Sequence, residues 1–193
     1  MSVSIEKDRV LVKDISPGCE RGETMELLPE IQVRKSIRQF MKDAVPKDVM
    51  SRILEAGARA PSAKNRQEWR FVVVQKEDIR KKIQDAAFGQ DYVGQAPAII
   101  AACTTNIDYR MPNGHLSFPV DLTFGVSFMM FQAVHEGLGT CCITTFDEQE
   151  VKEILTVPFS MRVVMLLLVG YPAGEPEETT RKPLKRVISY EHW

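Results

Sequence analysis

From Leu116 to Leu138 the chain carries one nearly unbroken apolar run, and that run limits what the rest can build. Its length suits a membrane span, but Asp121, Gln132, His135 and Glu136 interrupt it, and a span needs about 20 residues largely free of charge. Leu122, Val126, Met129, Ala133 and Val134 recur at the i, i+3, i+4 spacing of one helix face. The segment reads as a buried core helix. It is apolar over more of its circumference than one small domain easily covers, which points to a subunit interface.

Around it, short apolar runs alternate with amphipathic ones. Phe71-Val72-Val73-Val74 has apolar residues at every position and reads as a central strand. Ala98 to Cys103 and Val163 to Val169 are two more buried strands, and Thr140 to Thr144 is a strand or extended backbone. Pro46 opens a helix whose apolar face is Val49, Met50, Ile53, Leu54 and Gly57 and which ends before Pro61. Glu77 to Phe88 is a surface helix with Ile79, Ile83 and Ala87 inward, and Asp147 caps a short helix through Leu155. Gly137-Leu138-Gly139 stops the long helix, and Pro112, Asn113 and Gly114 mark a loop. Helices separating apolar strands predict an α+β fold with a helix-covered sheet.

The 193 residues suffice for one domain with a sizeable core. A formal net charge of −1 gives no general pull toward nucleic acid, so no nucleic-acid partner is expected. The four cysteines, Cys19, Cys103, Cys141 and Cys142, form no zinc-clamping pattern. With no secretory signature at the N-terminus, a reducing cytoplasm fits, and no membrane association is expected. No dinucleotide-binding or phosphate-loop glycine motif occurs, no metalloprotease helix motif and no serine nucleophile elbow. His115, His135 and His192 are too scattered to form a metal set. A chain without these kits that catalyses a reaction must borrow its chemistry from a cofactor.

Two short segments supply the remaining signal. Arg34-Lys35-Ser36-Ile37-Arg38 places Arg34, Ser36 and Arg38 at alternating positions, so an extended backbone can turn them to one side, toward an anionic ligand. Pro61-Ser62-Ala63-Lys64-Asn65-Arg66-Gln67 gathers Ser62, Asn65 and Gln67 on a turn, where their side chains can read the edge of a heterocycle. In order and at this separation, the two resemble the R-x-S-x-R and A-P-S-x-x-N-x-Q segments that open the nitroreductase-like family of FMN-dependent NAD(P)H oxidoreductases. The resemblance runs from about Met25 to Trp193. Residues 1–24 lie outside it as an N-terminal extension, in which Leu11 and Val12 could add an edge strand.

The resemblance implies a nitroreductase-like fold, a domain-swapped type of homodimer, and FMN held between the subunits, with NADH or NADPH as reductant and a small-molecule acceptor such as a nitroaromatic or quinone. It assigns Arg34 and Ser36 to the phosphate and ribityl chain and Arg38 to the pyrimidine edge near N1 and O2, with Lys35 among the cofactor-binding residues. Pro61, Ser62, Asn65 and Gln67 fall in the segment that covers or hydrogen-bonds the flavin. Gly137-Leu138-Gly139-Thr140 with Ile143 and Thr144 matches a run whose backbone donors approach flavin N5 and O4, and Arg181-Lys182-Pro183-Leu184 matches one that returns to the phosphate. No catalytic side chain is implied, since the flavin carries the chemistry. Two departures stand out: Thr144 where the family carries Gly, and Glu68 where it carries Pro. A flavin-binding storage or sensing protein with little turnover is the alternative, and a basic-cluster phosphate or nucleotide binder without flavin is a third reading.

Overall fold

The structure, a computed structural model, describes residues 27–174, 176 and 178–193. The N-terminal extension, with its possible edge strand at Leu11 and Val12, lies outside the described residues. Elements follow in the order α1 (Pro29–Val33), α2 (Lys47–Ala58), β1 (Trp69–Val74), α3 (Glu77–Ala86), α4 (Asp91–Gln95), β2 (Ala98–Thr104), α5 (Phe118–His135), β3 (Gly139–Ile143), α6 (Glu148–Leu155) and β4 (Arg162–Gly170). The four strands form one antiparallel sheet ordered β1-β2-β4-β3.

Side chains alternate across a strand, and here both faces are covered by helices, so β2 is buried at every residue. One face sets Ile99, Ala101, Cys103, Leu166 and Leu168 against Ile83, Val93 and Val151 of α3, α4 and α6. The other sets Ala98, Ile100, Leu167 and Val169 against Met50 and Ile53 of α2 and Leu122, Val126 and Met129 of α5. A register shift between Ala102 and Cys103 makes Ala102 face Met165 and Cys103 face Val163, passing over Val164. The extra residue reverses the alternation, which is why Val163 packs with Leu166 on one face and Met165 with Leu167 on the other.

Several expectations are met. The long apolar run forms α5 with Leu122, Val126, Met129 and Ala133 buried, and Gly137 ends it at φ 77°. Asp147 caps α6, its carboxylate accepting from Glu150 N at 3.0 Å. Two need correction. Phe71 to Val74 is not central: among the described residues β1 pairs only with β2 and lies at the sheet's edge. Its uniform apolarity arises because helices cover both of its faces, leaving Phe71, Val72 and Val73 half-buried. Pro46 is the residue before the helix rather than its first, with extended ψ 146°. The short helices α1 and α4, five residues each, are too brief to show a period.

Missing side chains set two close approaches. A Cβ on Gly57 would lie 2.2 Å from Met129 Cε, so α2 and α5 cross tightly there. A Cβ on Gly139 would lie 2.8 Å from Ile37 Cβ. That contact seats the 34–40 segment on β3, where Ile37 N donates to Thr140 O at 2.9 Å and Ser36 forms a parallel bridge with Thr140. Gly139→Ala should therefore destabilise the protein by about 1–3 kcal/mol through overpacking. In urea denaturation, Ile37→Ala in the same chain should remove most of the added penalty. Equal loss with and without Ile37 would show that the approach does not matter.

Candidate functional site

The basic cluster follows directly from that seat. Arg34 closes α1, its N–H donating to Glu30 O. Ile37 turns inward, 7% exposed, over Gly139, and alternation sends Ser36 and Arg38 the opposite way. Arg34 and Lys35 form no ion pair with any described residue, so their donors remain available to an anion. The Arg38 guanidinium carbon lies 5.9 Å from the centre of the Tyr92 ring. It is also close enough to Cys141 to work against the upward push of burial on that thiol. Tyr92 OH donates to Gln90 Oε1. Gln90 Nε2 in turn donates to Ala87 O at 2.8 Å and Thr145 O at 3.2 Å. Sequence reasoning missed Gln90, the residue before α4, and Tyr92, within it, because that helix is too short to show a period.

The 61–68 loop is folded against its own preference. Lys64, Asn65 and Gln67 adopt φ of 54°, 53° and 53°, a left-handed geometry costing about 1–2 kcal/mol per residue where no glycine relieves it, less for Asn. Local bonds hold it: Asn65 N donates to Ser62 O at 2.9 Å and Gln67 N to Ser62 Oγ at 3.0 Å. Ser62 thus accepts with its oxygen while its O–H stays available as a donor. Asp121 in the first turn of α5 anchors the loop, accepting from Ala63 N at 2.8 Å. Pro61, Asn65 and Gln67 are exposed, as a ligand-facing loop requires, but Gln67 Nε2 is spent on Asn65 O at 3.2 Å. The signal for Asp121 was its charge inside an apolar run, which the sequence reading used only against a membrane span.

Ile143 is 4% exposed, so it can offer a ligand only its backbone, while Thr144 beyond it is exposed. Arg181 and Lys182 lie on an exposed C-terminal arm whose hydrogen bonds are local, among them Arg186 N to Pro183 O and Ile188 N to Leu184 O. Arg181 Nη1 donates to Thr180 O at 3.3 Å, and neither Arg181 nor Lys182 forms an ion pair with a described residue. Nor do the two motif segments meet. Asp121 ties the 61–68 loop to one end of α5, whereas His135 at the other end pairs with Glu30 beside the 34–38 segment, Nδ1 to Oε1 at 2.9 Å. From Asp121 to His135 the helix rises about 20 Å, at about 1.5 Å per residue. Among the described residues no thiol is activated: desolvation pushes Cys103 up to about 11 and raises Cys141 and, although its residue is exposed, Cys142.

Comparison with known proteins agrees with this architecture. An NADH dehydrogenase of Thermus thermophilus is 30% identical over 191 residues, covering 80% of this chain and 91% of the relative. An FMN reductase [NAD(P)H] of Bacillus subtilis is 26% identical over 180 residues, covering 84% of this chain and 72% of its own. The crystal structure of a nitroreductase family protein from Clostridium difficile superposes with a TM-score of 0.77 at 29% identity, covering 88% of this chain and 100% of the other. Residues 31–91 and 87–171 match the nitroreductase family as a whole, and the chain belongs to that family.

Proposed function

We propose that this protein is an FMN-dependent oxidoreductase that uses NADH or NADPH to reduce a small-molecule acceptor such as a nitroaromatic or quinone. The observation that carries the reading is the donor set on the 34–38 segment. Arg34 and Lys35 hold unspent positive charge beside Ser36, on backbone pinned to β3, which suits a phosphate dianion. When bound, FMN would supply the chemistry, taking hydride from the nicotinamide and giving it to the acceptor. The chain's task is to bind and orient, and for hydride transfer orientation supplies much of the acceleration. Arg34 and Lys35 would neutralise phosphate far from the reacting ring. Arg38, steadied by Tyr92, would place a fixed cation at the pyrimidine edge, where it favours the more negative of the ring's two redox states. With no dinucleotide-binding unit in the sequence, nicotinamide and acceptor would use one space in turn, giving ping-pong kinetics.

The same reading includes a homodimer with shared sites, residues 25–193 forming the FMN-binding domain. Three features support it. The motif segments lie at opposite ends of α5, so a second copy is the simplest way to bring one chain's 61–67 loop to another's Arg38. Val120, Phe124 and Phe128, spaced i, i+4, i+8 on α5, are 40%, 44% and 38% exposed, and Leu28, Ile31, Ala56 and Phe131 line a groove beside Phe128. The arm exposes Leu184, Val187, Ile188, Tyr190 and Trp193, a hook of apolar side chains suited to a partner's surface. No helix of the described residues is long and apolar enough to cross a membrane. Free Cys103, Cys141 and Cys142 suit a reducing compartment such as the cytoplasm.

An absorbance spectrum of the purified protein tests the reading. Flavin bands that bleach within seconds of adding NADH or NADPH without oxygen are expected. Bands that do not bleach would favour storage or sensing, and a colourless protein that takes up no added FMN would end the flavin reading. Sedimentation at low concentration should give a dimer with two FMN, and a flavin-loaded monomer would refute the shared site.

Arg34 and Arg38 should fail in different ways. Arg34→Ala should raise the FMN dissociation constant about ten- to hundredfold, through loss of roughly 1.5–3 kcal/mol from a charge-assisted contact. Arg38→Ala should lower the two-electron potential by tens of millivolts, about 30 mV corresponding to ~1.4 kcal/mol, and Arg34→Ala should move it far less. Equal potential shifts, measured at saturating FMN, would mean the two roles are misassigned.

A further inference from the structure

We propose that Glu68, which stands where the resemblance leads one to expect proline, is a positioning residue that locks the 61–68 loop in its ligand-facing shape through a closed ring of contacts with Asn106, Tyr109 and Arg66. The inference rests on the flavin reading for what the loop faces, but its geometry stands apart from it. Glu68 Oε1 accepts from Asn106 Nδ2 at 3.0 Å. Asn106 Oδ1 in turn accepts from Asp108 N at 3.1 Å and Tyr109 N at 2.9 Å, closing the turn that presents Tyr109. The Arg66 guanidinium carbon lies 4.2 Å from the centre of the Tyr109 ring, with Lys64 Nζ at 5.3 Å. Arg66 Nη1 completes the circuit 3.6 Å from Glu68 Oε1. Each member holds the next, and the circle joins two loops that β1 and β2 bring side by side.

The backbone reinforces the same junction. Thr105 N donates to Glu68 O at 3.0 Å and Thr104 Oγ1 donates to it at 3.1 Å, extending the β1–β2 ladder one step beyond Trp69 and Thr104. Lys64, Asn65 and Gln67, held in left-handed geometry, lie immediately before the junction. Such a conformation persists only where its surroundings over-determine it. Release at Glu68 would let the loop relax and carry Ser62 and Asn65 away from where they now point. A proline would restrain the backbone through its fixed φ; Glu68 restrains it through a side chain that reaches the neighbouring loop. The circle also borders an open cleft of about 560 Å³ lined by Glu68, Thr105, Asn106, Tyr109 and Ser160. The restraint on the flavin-facing loop and the wall of that cleft are therefore one structure.

FMN affinity of the full-length protein, read by flavin fluorescence quenching, tests the proposal with Glu68→Ala, Asn106→Ala, the double variant and Glu68→Gln. Each alanine variant should weaken FMN about tenfold, as expected for loss of a buried-edge hydrogen bond to a charged group. The double variant should be no worse than the poorer single one, because both break the same circle. Glu68→Gln should stay within about twofold of the parent, since its amide oxygen still accepts from Asn106. An unchanged constant in Glu68→Ala, effects that multiply in the double variant, or Glu68→Gln as weak as Glu68→Ala would each overturn it. If the parent binds no FMN, the flavin reading falls. Hydrogen exchange then decides the latch: the Asn65 and Gln67 amides should exchange faster in Glu68→Ala and at parental rates in Glu68→Gln, and equal rates in all three would overturn it.

Discussion

A hydrogen atom in place of a methyl group at Gly139 lets the 34–40 segment lie flat on β3. Ile37 fills the space a side chain would take, and the rest of the basic cluster takes its orientation from that insertion. With Ile37 inward, alternation decides that Ser36 and Arg38 face away from the core. Thr140 O and Ser36 then hold the register. Charge gathers at this place because a backbone contact fixes the side of the segment that Arg38 shares with Ser36. Any anion bound here is read by geometry set from the apolar side.

The opposite end of α5 works by a different rule. There a loop that prefers to relax is fastened by Asp121 from the helix, by Ser62 from within and by the 104–110 turn from beside it. One segment is placed by packing, the other by hydrogen bonds. The long helix between them has both ends tied to a candidate ligand segment, and from its first turn to past its middle it carries the exposed stripe of Val120, Phe124 and Phe128. A helix with so little polar face suits a position between two bodies, where both sides are covered.

Much of this was legible in the residues. The period of Leu122, Val126, Met129 and Ala133 predicted α5 with its buried face, and the cap at Asp147 predicted the start of α6. The basic segment and the 61–67 turn were found because unusual side chains cluster there in the chain itself. What escaped was whatever depends on neighbours distant in sequence. Phe71 to Val74 looks central because helices cover both faces, and composition does not reveal that, among the described residues, only one strand pairs with it. Tyr92, Asn106 and Tyr109 carry no local signature and gain their roles from Arg38, Glu68 and Arg66, all distant in sequence; Asp121 is visible as a charge in an apolar run, but nothing in the sequence announces its bond to Ala63 N. Left-handed geometry at Lys64 and Gln67 is likewise unreadable, since neither residue favours it.

The separation of the two motif segments along α5 has a genetic corollary. If each site takes one segment from either chain, damage to the 34–38 segment and damage to the 61–67 loop are different kinds of lesion. A dimer of two chains carrying the same lesion has two broken sites. A mixed dimer, in which one chain is damaged at the 34–38 segment and its partner at the 61–67 loop, collects both lesions in one site and leaves the other whole. Two inactive alleles would then restore part of the activity when expressed together, and a single defective copy would silence at most one site of each pair it enters.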